Sequence, residues 1–149
     1  MSAREEILHL MNSYCFAIDT GDGEGLANLF EHSTWGVEGA ALARGRQDAM
    51  AIWANVKIYA DGTPKTRHVT SNVELTIDEA AGTASSECYV TVFQQTDELP
   101  LQAIFSGHYF DRFERVSGSW RFTQRLIRHP LTGNMSAHLK VPSDTIPKA

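Results

Sequence analysis

The chain has 149 residues, a formal net charge of −5 and 42% hydrophobic residues. This length fits one domain with its own core, and the acidic charge provides no basic surface for nucleic acid. No apolar run approaches the roughly 20 residues of a membrane span, and the N-terminus lacks a signal-peptide pattern, so we expect a cytoplasmic protein without a membrane partner.

The N-terminal part of the sequence predicts helices. Apolar residues recur at helical spacing over residues 7–18, and Ser2 with Glu5 forms a capping-box pattern at their start. Gly21 is the expected stop of this helix, and Asp22 is placed to cap a short second one. A third helix is expected after an extended stretch at 34–37, with an apolar face made of Ala49, Ile52, Trp53 and Val56.

Beyond residue 65 the sequence changes from a helical period to alternation, which predicts antiparallel strands. These are expected at about 68–77, 85–96, 101–116 and 120–129. Helices followed by strands are typical of an α+β fold, with the helices packed on one face of a curved antiparallel sheet. We expect a single domain over residues 1–149, with a tail at 130–149 that is irregular or contributes to a partner subunit.

The absence of several short motifs counts against some classes of enzyme. The sequence has no HExxH, CxxC, GxGxxG, P-loop or GxSxG pattern, so zinc protease, redox, nucleotide-binding and serine hydrolase functions lack support. The two cysteines, Cys15 and Cys88, fall inside periodic apolar segments and are expected to be reduced core thiols. We expect neither a metal nor a cofactor.

Asp19 lies near the C-terminal end of the first predicted helix, where a carboxylate is electrostatically unfavourable. It follows Cys15 by four residues and therefore borders the buried stripe of the helix. Asp19 either forms a local turn or cap, or has its charge balanced by a partner from elsewhere in the chain. Asp22 is better placed as a cap, which favours the second interpretation.

Three other residues could carry chemistry. His68 opens the first strand, on the face opposite the alternating Val and Leu residues, and is either a surface or core residue or a general base paired with a carboxylate. By alternation Arg125 lies opposite Trp120 and Phe122, either as a surface arginine or as an anion-binding group. Tyr14 lies on the buried face of the first helix, either as a core tyrosine or as a residue that contacts substrate.

The order of these residues resembles the SnoaL-like families of the nuclear transport factor fold, in particular scytalone dehydratases and hexachlorocyclohexane dehydrochlorinases. The resemblance covers about residues 7–128 and rests on the segments AIDTGDGEGLANLF, RHVTSNVEL and HYFDRFERVSGSWRFTQR. It implies a cone-shaped fold, in which a strongly bent sheet wraps round helices and encloses an apolar pocket. It also implies that Asp19 pairs with His68, and that Arg125 matches an arginine of the dehydrochlorinases.

The chain departs from both families at other positions. The helix lysine of the dehydrochlorinases falls at Tyr14. The second pocket histidine of the dehydratases falls near Thr91 or Phe93, where this chain has no histidine. The expected acid–histidine pair is therefore kept while its surroundings differ.

The resemblance implies a cofactor-independent lyase, a dehydratase or dehydrohalogenase acting on a small cyclic or aromatic-derived substrate. His68 would be the general base, with Asp19 as its orienting partner. Arg125 or Tyr14 would steady the developing negative charge or the leaving group. Because elimination and isomerisation share the first proton transfer, an isomerase of the same fold stays open.

Two alternatives belong to other classes. One is a non-catalytic pocket or assembly subunit that resembles the small subunits of aromatic ring-hydroxylating dioxygenases. The other is a protein that sequesters a polycyclic ligand without turnover. We expect self-association, because the outer face of the sheet is assigned the aromatic residues Tyr109, Phe110 and Phe113, and the resemblance implies a homodimer or homotrimer. The assembly-subunit alternative would instead require an obligate larger partner.

Overall fold

A computed structural model describes residues 1–141 as three helices packed on one six-stranded sheet. The helices are α1 (Ala3–Thr20), α2 (Gly23–Leu29) and α3 (Gly45–Trp53). The strands are β1 (Thr34–Val37), β2 (Ala43–Arg44), β3 (Thr66–Asp78), β4 (Thr83–Gln94), β5 (Gln102–Val116) and β6 (Ser119–Thr132). None of the helices within residues 1–141 is both long and apolar enough to cross a membrane.

The strands lie in the order β2-β1-β6-β5-β4-β3. β1 pairs with β6 in parallel, which the sequence did not predict, and the four long strands pair as antiparallel neighbours. α1 packs against the concave face of this sheet, α2 packs against α1, and α3 packs against α2. The predicted α+β class, with helices on one face of a curved sheet, is confirmed.

The predicted helix boundaries depend on caps that are present. Ser2 Oγ accepts a hydrogen bond from the backbone N–H of Glu5, whose carboxylate accepts one from the backbone of Ser2. Gly21 ends α1 with a φ of 82°, a conformation that glycine adopts without steric cost. Asp22 begins α2 by accepting a backbone hydrogen bond at 2.8 Å. These caps fix where α1 ends, and therefore where Asp19 lies.

Register shifts in the long strands bend the sheet. β3 and β5 each contain one extra residue relative to a neighbour, and β6 contains two. Such bulges increase the local twist and move the following side chains to the other face. In β3 the shift includes Asn72, which has a φ of 57°. The prediction that His68 and Leu75 lie on opposite faces is therefore wrong, because both face inward on either side of the bulge.

The core lies between α1 and the concave face of the sheet. Both cysteines are buried in it as free thiols, as the sequence predicted. Burial raises the pKa of Cys15 to about 11 and that of Cys88 to about 12. The apolar stripe predicted for the first helix is buried over its whole length, at Ile7, Met11, Tyr14, Cys15 and Ile18.

Two of the three aromatic residues assigned to the outer face of the sheet lie inside the protein. Tyr109 and Phe113 are each 2% exposed and belong to the core. Phe110 lies on the outer face, where the guanidinium of Arg128 covers its ring. Side chains alternate along a strand, so residues 109 and 110 cannot share a face. Self-association as a dimer or trimer stays a prediction, now supported by one of these three residues.

The C-terminal segment is more regular than the sequence predicted. β6 continues through Pro130 to Thr132. Further on, Leu139 forms a β-bridge with Val56, and the side chain of Asn55 both donates to and accepts from the backbone of residue 141. The tail predicted to be irregular at 130–149 therefore begins as a strand and continues, up to residue 141, as a segment that is hydrogen-bonded to the loop after α3. The part of the predicted tail beyond residue 141 lies outside the described residues.

Candidate active site

Asp19 and His68 form a hydrogen-bonded pair between the end of α1 and the start of β3. Asp19 Oδ1 lies 2.7 Å from His68 Nδ1 and accepts a second hydrogen bond from Thr66 Oγ1, also at 2.7 Å. Asp19 Oδ2 accepts a hydrogen bond from the backbone N–H of His68 at 2.7 Å. The side chains of Asp19 and His68 are only 9% and 5% exposed.

These contacts explain how a carboxylate is tolerated at the C-terminal end of a helix. Burial opposes ionisation of Asp19, but the hydrogen bonds from His68 and Thr66 outweigh it, so the pKa of Asp19 is lowered. An ionised carboxylate only accepts hydrogen bonds, so in the neutral ring Nδ1 of His68 carries the proton. Nε2 then carries the lone pair, and no hydrogen bond joins it to any residue of the range 1–141.

His68 lines a cavity of about 570 Å³. This volume lies within the roughly 300–1,000 Å³ that is typical of small-molecule sites. The walls are mainly apolar and come from α1, α3, the concave face of the sheet and the C-terminal segment; their polar side chains include Tyr14, Asp48, Asn55, Tyr109 and His138. Within residues 1–141, no cluster of three or more His, Cys, Asp and Glu residues is arranged to hold a metal ion.

Tyr14 and Tyr109 bring two hydroxyl groups together at the cavity wall. Their oxygens are 3.4 Å apart, and the edge of the Tyr14 ring contacts the His68 ring with a centroid separation of 6.0 Å. Burial raises the pKa of both tyrosines, so both hydroxyls stay protonated. Tyr109 donates its hydroxyl proton to the Tyr14 oxygen, so the proton of Tyr14 is the one available to a ligand. The position of Tyr14 beside His68 is compatible with its predicted role in substrate binding, which stays a prediction.

Arg125 lies behind these two tyrosines and is not among the residues that line the cavity. Its guanidinium donates two hydrogen bonds to Asp111, at 2.9 and 2.8 Å, and both side chains are fully buried. The guanidinium carbon lies 4.3 Å from the ring centre of Tyr14 and 4.0 Å from that of Tyr109. The interpretation of Arg125 as a surface arginine is wrong. Its predicted contact with substrate stays a prediction: Nε and Nη2 bind Asp111 and two rings cover the guanidinium, while Nη1 has no hydrogen-bond partner among the described residues.

A bulge in β6 explains why simple alternation placed Arg125 on the wrong face. Thr123 is an extra residue in β6 relative to its neighbour β5. Phe122 and Arg125 are therefore both buried on the inner face, together with Trp120, although an uninterrupted strand would separate them. The prediction that Arg125 lies on the face opposite Trp120 and Phe122 is therefore wrong.

His138 is, besides Asp48, an ionisable residue of the cavity that no prediction from the sequence named. It is 8% exposed, and its Nδ1 is buried without a hydrogen-bond partner in the described part of the chain. Burial, followed by the charge of His68, lowers the pKa of His138 to about 4. No local pattern marks this residue, because it reaches the cavity only through the bridge between Leu139 and Val56.

Comparison with known proteins agrees with this fold. The family model of the SnoaL-like domain matches residues 1–126 of this chain. The chain therefore belongs to the SnoaL-like family. No curated protein matches the sequence. An NTF2-like protein with a cystatin-like fold from Novosphingobium aromaticivorans is 25% identical, with a TM-score of 0.72 over 90% of this chain and 85% of that one.

Two further structures carry names of enzymes. A candidate scytalone dehydratase from Novosphingobium aromaticivorans DSM 12444 is 24% identical, with a TM-score of 0.69 over 88% of this chain and 87% of that one. A hexachlorocyclohexane dehydrochlorinase is 21% identical, with a TM-score of 0.68 over 89% of each chain. At these identities the likeness shows the fold alone.

Proposed function

We propose that the protein is a cofactor-independent lyase, a dehydratase or dehydrohalogenase that acts on a small cyclic or aromatic-derived substrate. The observation that carries this proposal is the 2.7 Å contact between His68 Nδ1 and Asp19 at the wall of a cavity of about 570 Å³. The names of the two related structures support elimination chemistry, since a candidate dehydratase and a dehydrochlorinase share this fold.

His68 acts as the general base. Asp19 holds Nδ1–H, so the lone pair of Nε2 takes the proton from the substrate carbon. The electron pair of the broken C–H bond forms a carbon–carbon double bond, and a hydroxide or halide leaves the neighbouring carbon with its bonding electrons. The buried carboxylate of Asp19 stabilises the imidazolium that results.

Tyr14, which accepts a hydrogen bond from Tyr109, donates its own proton to the substrate oxygen or leaving group that gains negative charge. Such donors are effective in a site with little water, because their dipoles are already oriented before the reaction. Arg125 positions the two rings through its contacts with their faces, at 4.3 and 4.0 Å, and does not touch substrate. This role replaces the direct contact expected from the sequence.

The open cavity supports an enzyme over the alternative of an assembly subunit. That alternative predicts a filled pocket and an Asp19 that binds only backbone, whereas the cavity is open and Asp19 also binds the His68 ring. A protein that only sequesters ligands would keep its binding affinity after His68→Ala. An isomerase would share the proton transfer but release a product with the same composition as the substrate.

The proposal is tested by incubating the protein with vicinal hydroxy ketones and cyclic halides and by measuring formation of the unsaturated product or release of halide. We expect turnover that a chelator leaves unchanged and that His68→Gln lowers by about 10²–10⁴-fold, the usual contribution of general-base catalysis. His9→Gln is the matched control, because His9 is exposed on α1 away from the cavity. Activity retained by His68→Gln would remove the assigned role.

A further inference from the structure

We propose that His138 is a second catalytic histidine, which stays neutral and donates a hydrogen bond from Nε2 to the substrate atom that gains negative charge when His68 removes a proton. This inference rests on the proposed lyase function. The resemblance places the second histidine of the dehydratases near Thr91 or Phe93, whereas His138 belongs to the segment after β6. It is therefore an independent feature of this chain.

The backbone around His138 is fixed on both sides. The backbone N–H of Lys57 donates to the carbonyl oxygen of His138 at 2.8 Å, and Leu139 forms the β-bridge that follows. On the preceding residue, the carbonyl oxygen of Ala137 accepts a hydrogen bond from Gln94 Nε2 at 3.0 Å. The imidazole is consequently held at the cavity wall by the loop after α3 and by β4.

The two ring nitrogens of His138 have different surroundings. Nδ1 is buried and has no hydrogen-bond partner among residues 1–141. The ring lines the cavity, so Nε2 is the nitrogen that can meet a ligand. Buried donors without an acceptor are rarer in proteins than acceptors without a donor, which favours the lone pair on Nδ1 and the proton on Nε2. The ring then presents an N–H group to the cavity.

His138 is suited to donate a hydrogen bond without transferring its proton. Burial keeps it neutral above its lowered pKa of about 4, and the positive charge that His68 carries once it has taken a proton acts in the same direction, although Asp19 opposes it. A neutral imidazole can polarise a substrate oxygen without competing as the base, a division of roles known between a carboxylate base and a neutral histidine. The cavity thus combines one basic nitrogen, on His68, with one neutral donor, on His138.

The donor and the cavity wall together indicate the class of substrate. The described residues of the wall include no Lys or Arg side chain, so nothing there would balance the charge of an anionic substrate. A neutral molecule with a carbonyl oxygen, hydroxyl group or halide near an acidic C–H bond meets both requirements. The oxygen or halide would accept from His138 while the C–H bond faces His68.

Turnover of the best wild-type substrate and binding of 2-naphthol test this inference together. The hydroxyl oxygen of 2-naphthol is bonded to an unsaturated carbon, as the oxygen of an enol is, and its binding does not depend on turnover. His138→Phe keeps a ring but removes the donor, and His138→Gln restores an N–H group. Ser136→Ala is the control in the same segment, because its exposed hydroxyl bonds only to Asn134. Thermal unfolding of each variant checks that it folds, and His138→Leu replaces His138→Phe if that ring does not fit.

We expect His138→Phe to lower kcat by about 10²–10³-fold, as loss of one preorganised donor does, with little change in KM. It should weaken 2-naphthol binding at least tenfold, and His138→Gln should recover most of both losses. A folded His138→Phe with wild-type kcat and 2-naphthol affinity overturns the inference and leaves the lyase function standing. If no substrate is turned over but His138→Phe weakens 2-naphthol binding, the donor stands and the lyase function fails. A wild-type protein that shows neither turnover nor binding overturns both.

Discussion

Asp19 holds both the backbone and the ring of His68, through two contacts of 2.7 Å from its two carboxylate oxygens. The residues are 49 positions apart in the chain. The backbone contact fixes the start of β3 against the end of α1, and the ring contact fixes which nitrogen of His68 carries the proton. The side chain of Asp19 therefore both fixes α1 against β3 and sets the protonation of the proposed general base.

Asp19→Asn should abolish most activity without removing the side chain from its place. An amide group can donate to Nδ1, which would move the proton of His68 to Nε2 and leave no lone pair for the substrate. A histidine in the wrong tautomer costs on the order of 10⁴-fold in kcat in serine proteases, and we expect a loss of similar size. Turnover and nitrogen NMR of the imidazole are the measurements. Asp22→Asn is the control, and a variant with unchanged rate and an Nδ1–H tautomer would contradict the prediction.

The same substitution should change how stability depends on pH. The pKa of Asp19 in the folded protein lies below its ordinary value of 3.8, so its ionised form stabilises the fold above that value. This contribution is lost as the pH falls through the lowered pKa. Urea unfolding should therefore show Asp19→Asn less stable than wild type at pH 7, with a difference that shrinks below pH 3.8. A difference that is constant with pH would refute this role.

Removing one partner of the buried Arg125–Asp111 pair should strongly destabilise the protein. Either Arg125→Met or Asp111→Leu leaves a buried charge without its partner, which costs about 3–5 kcal/mol of the free energy of unfolding. The double variant should recover much of this loss, because it buries no charge. Urea unfolding is the measurement. The half-exposed pair of Arg121 and Glu114 provides the control, and its removal should cost about 0–1 kcal/mol.

The bulge in β3 should be necessary for the position of His68. Deleting Asn72 would shift the register by one residue, which forces either His68 out of the cavity or Leu75 and Ile77 out of the core. We expect loss of activity and a lower melting temperature. Asn72→Gly, which accepts the positive φ, should stay within about 1 kcal/mol of wild type. A deletion variant with normal activity and melting temperature would show that the register is not fixed there.

Both cysteines should be unreactive in the folded protein. Burial raises the pKa of Cys15 to about 11 and that of Cys88 to about 12, so neither is ionised near pH 8. The thiolate is the reactive form, and both side chains are also shielded from reagents. Titration with a thiol reagent at pH 8 should detect almost no thiol in native protein and two in urea. Rapid labelling without denaturant would contradict this burial.

The sequence predicted those features that depend on local patterns. The capping residues Ser2 and Asp22, the stop at Gly21 and the buried stripe of α1 follow from neighbours within one or two helical turns. The pairing of Asp19 with His68 was predicted from its unfavourable position and from the resemblance, not from spacing. The predictions of the caps and of the buried stripe succeeded because capping and amphipathic burial act over short distances in the chain.

Features that depend on strand register could not be predicted in this way. Strict alternation misplaced Arg125, because one extra residue exchanges the faces of everything beyond it and bulges have no strong sequence signal. Tyr109 was misplaced because it was assigned to the same face as its neighbour Phe110, which alternation along a strand forbids. Asn72, with its positive φ, is the residue type that could have indicated the bulge in β3. His138 was missed for a different reason, since only a tertiary contact far from it in sequence brings it to the cavity.

The wall formed by residues 135–141 is attached to the loop after α3 through hydrogen bonds, whereas Asp19 and His68 are anchored in α1 and β3. Apolar positions in this wall, Met135 and Leu139, can thus be exchanged without touching the dyad. Libraries randomised at these two positions offer a direct route to new ligand preferences, because Asp19, His68 and the elements that carry them keep their sequence in every variant.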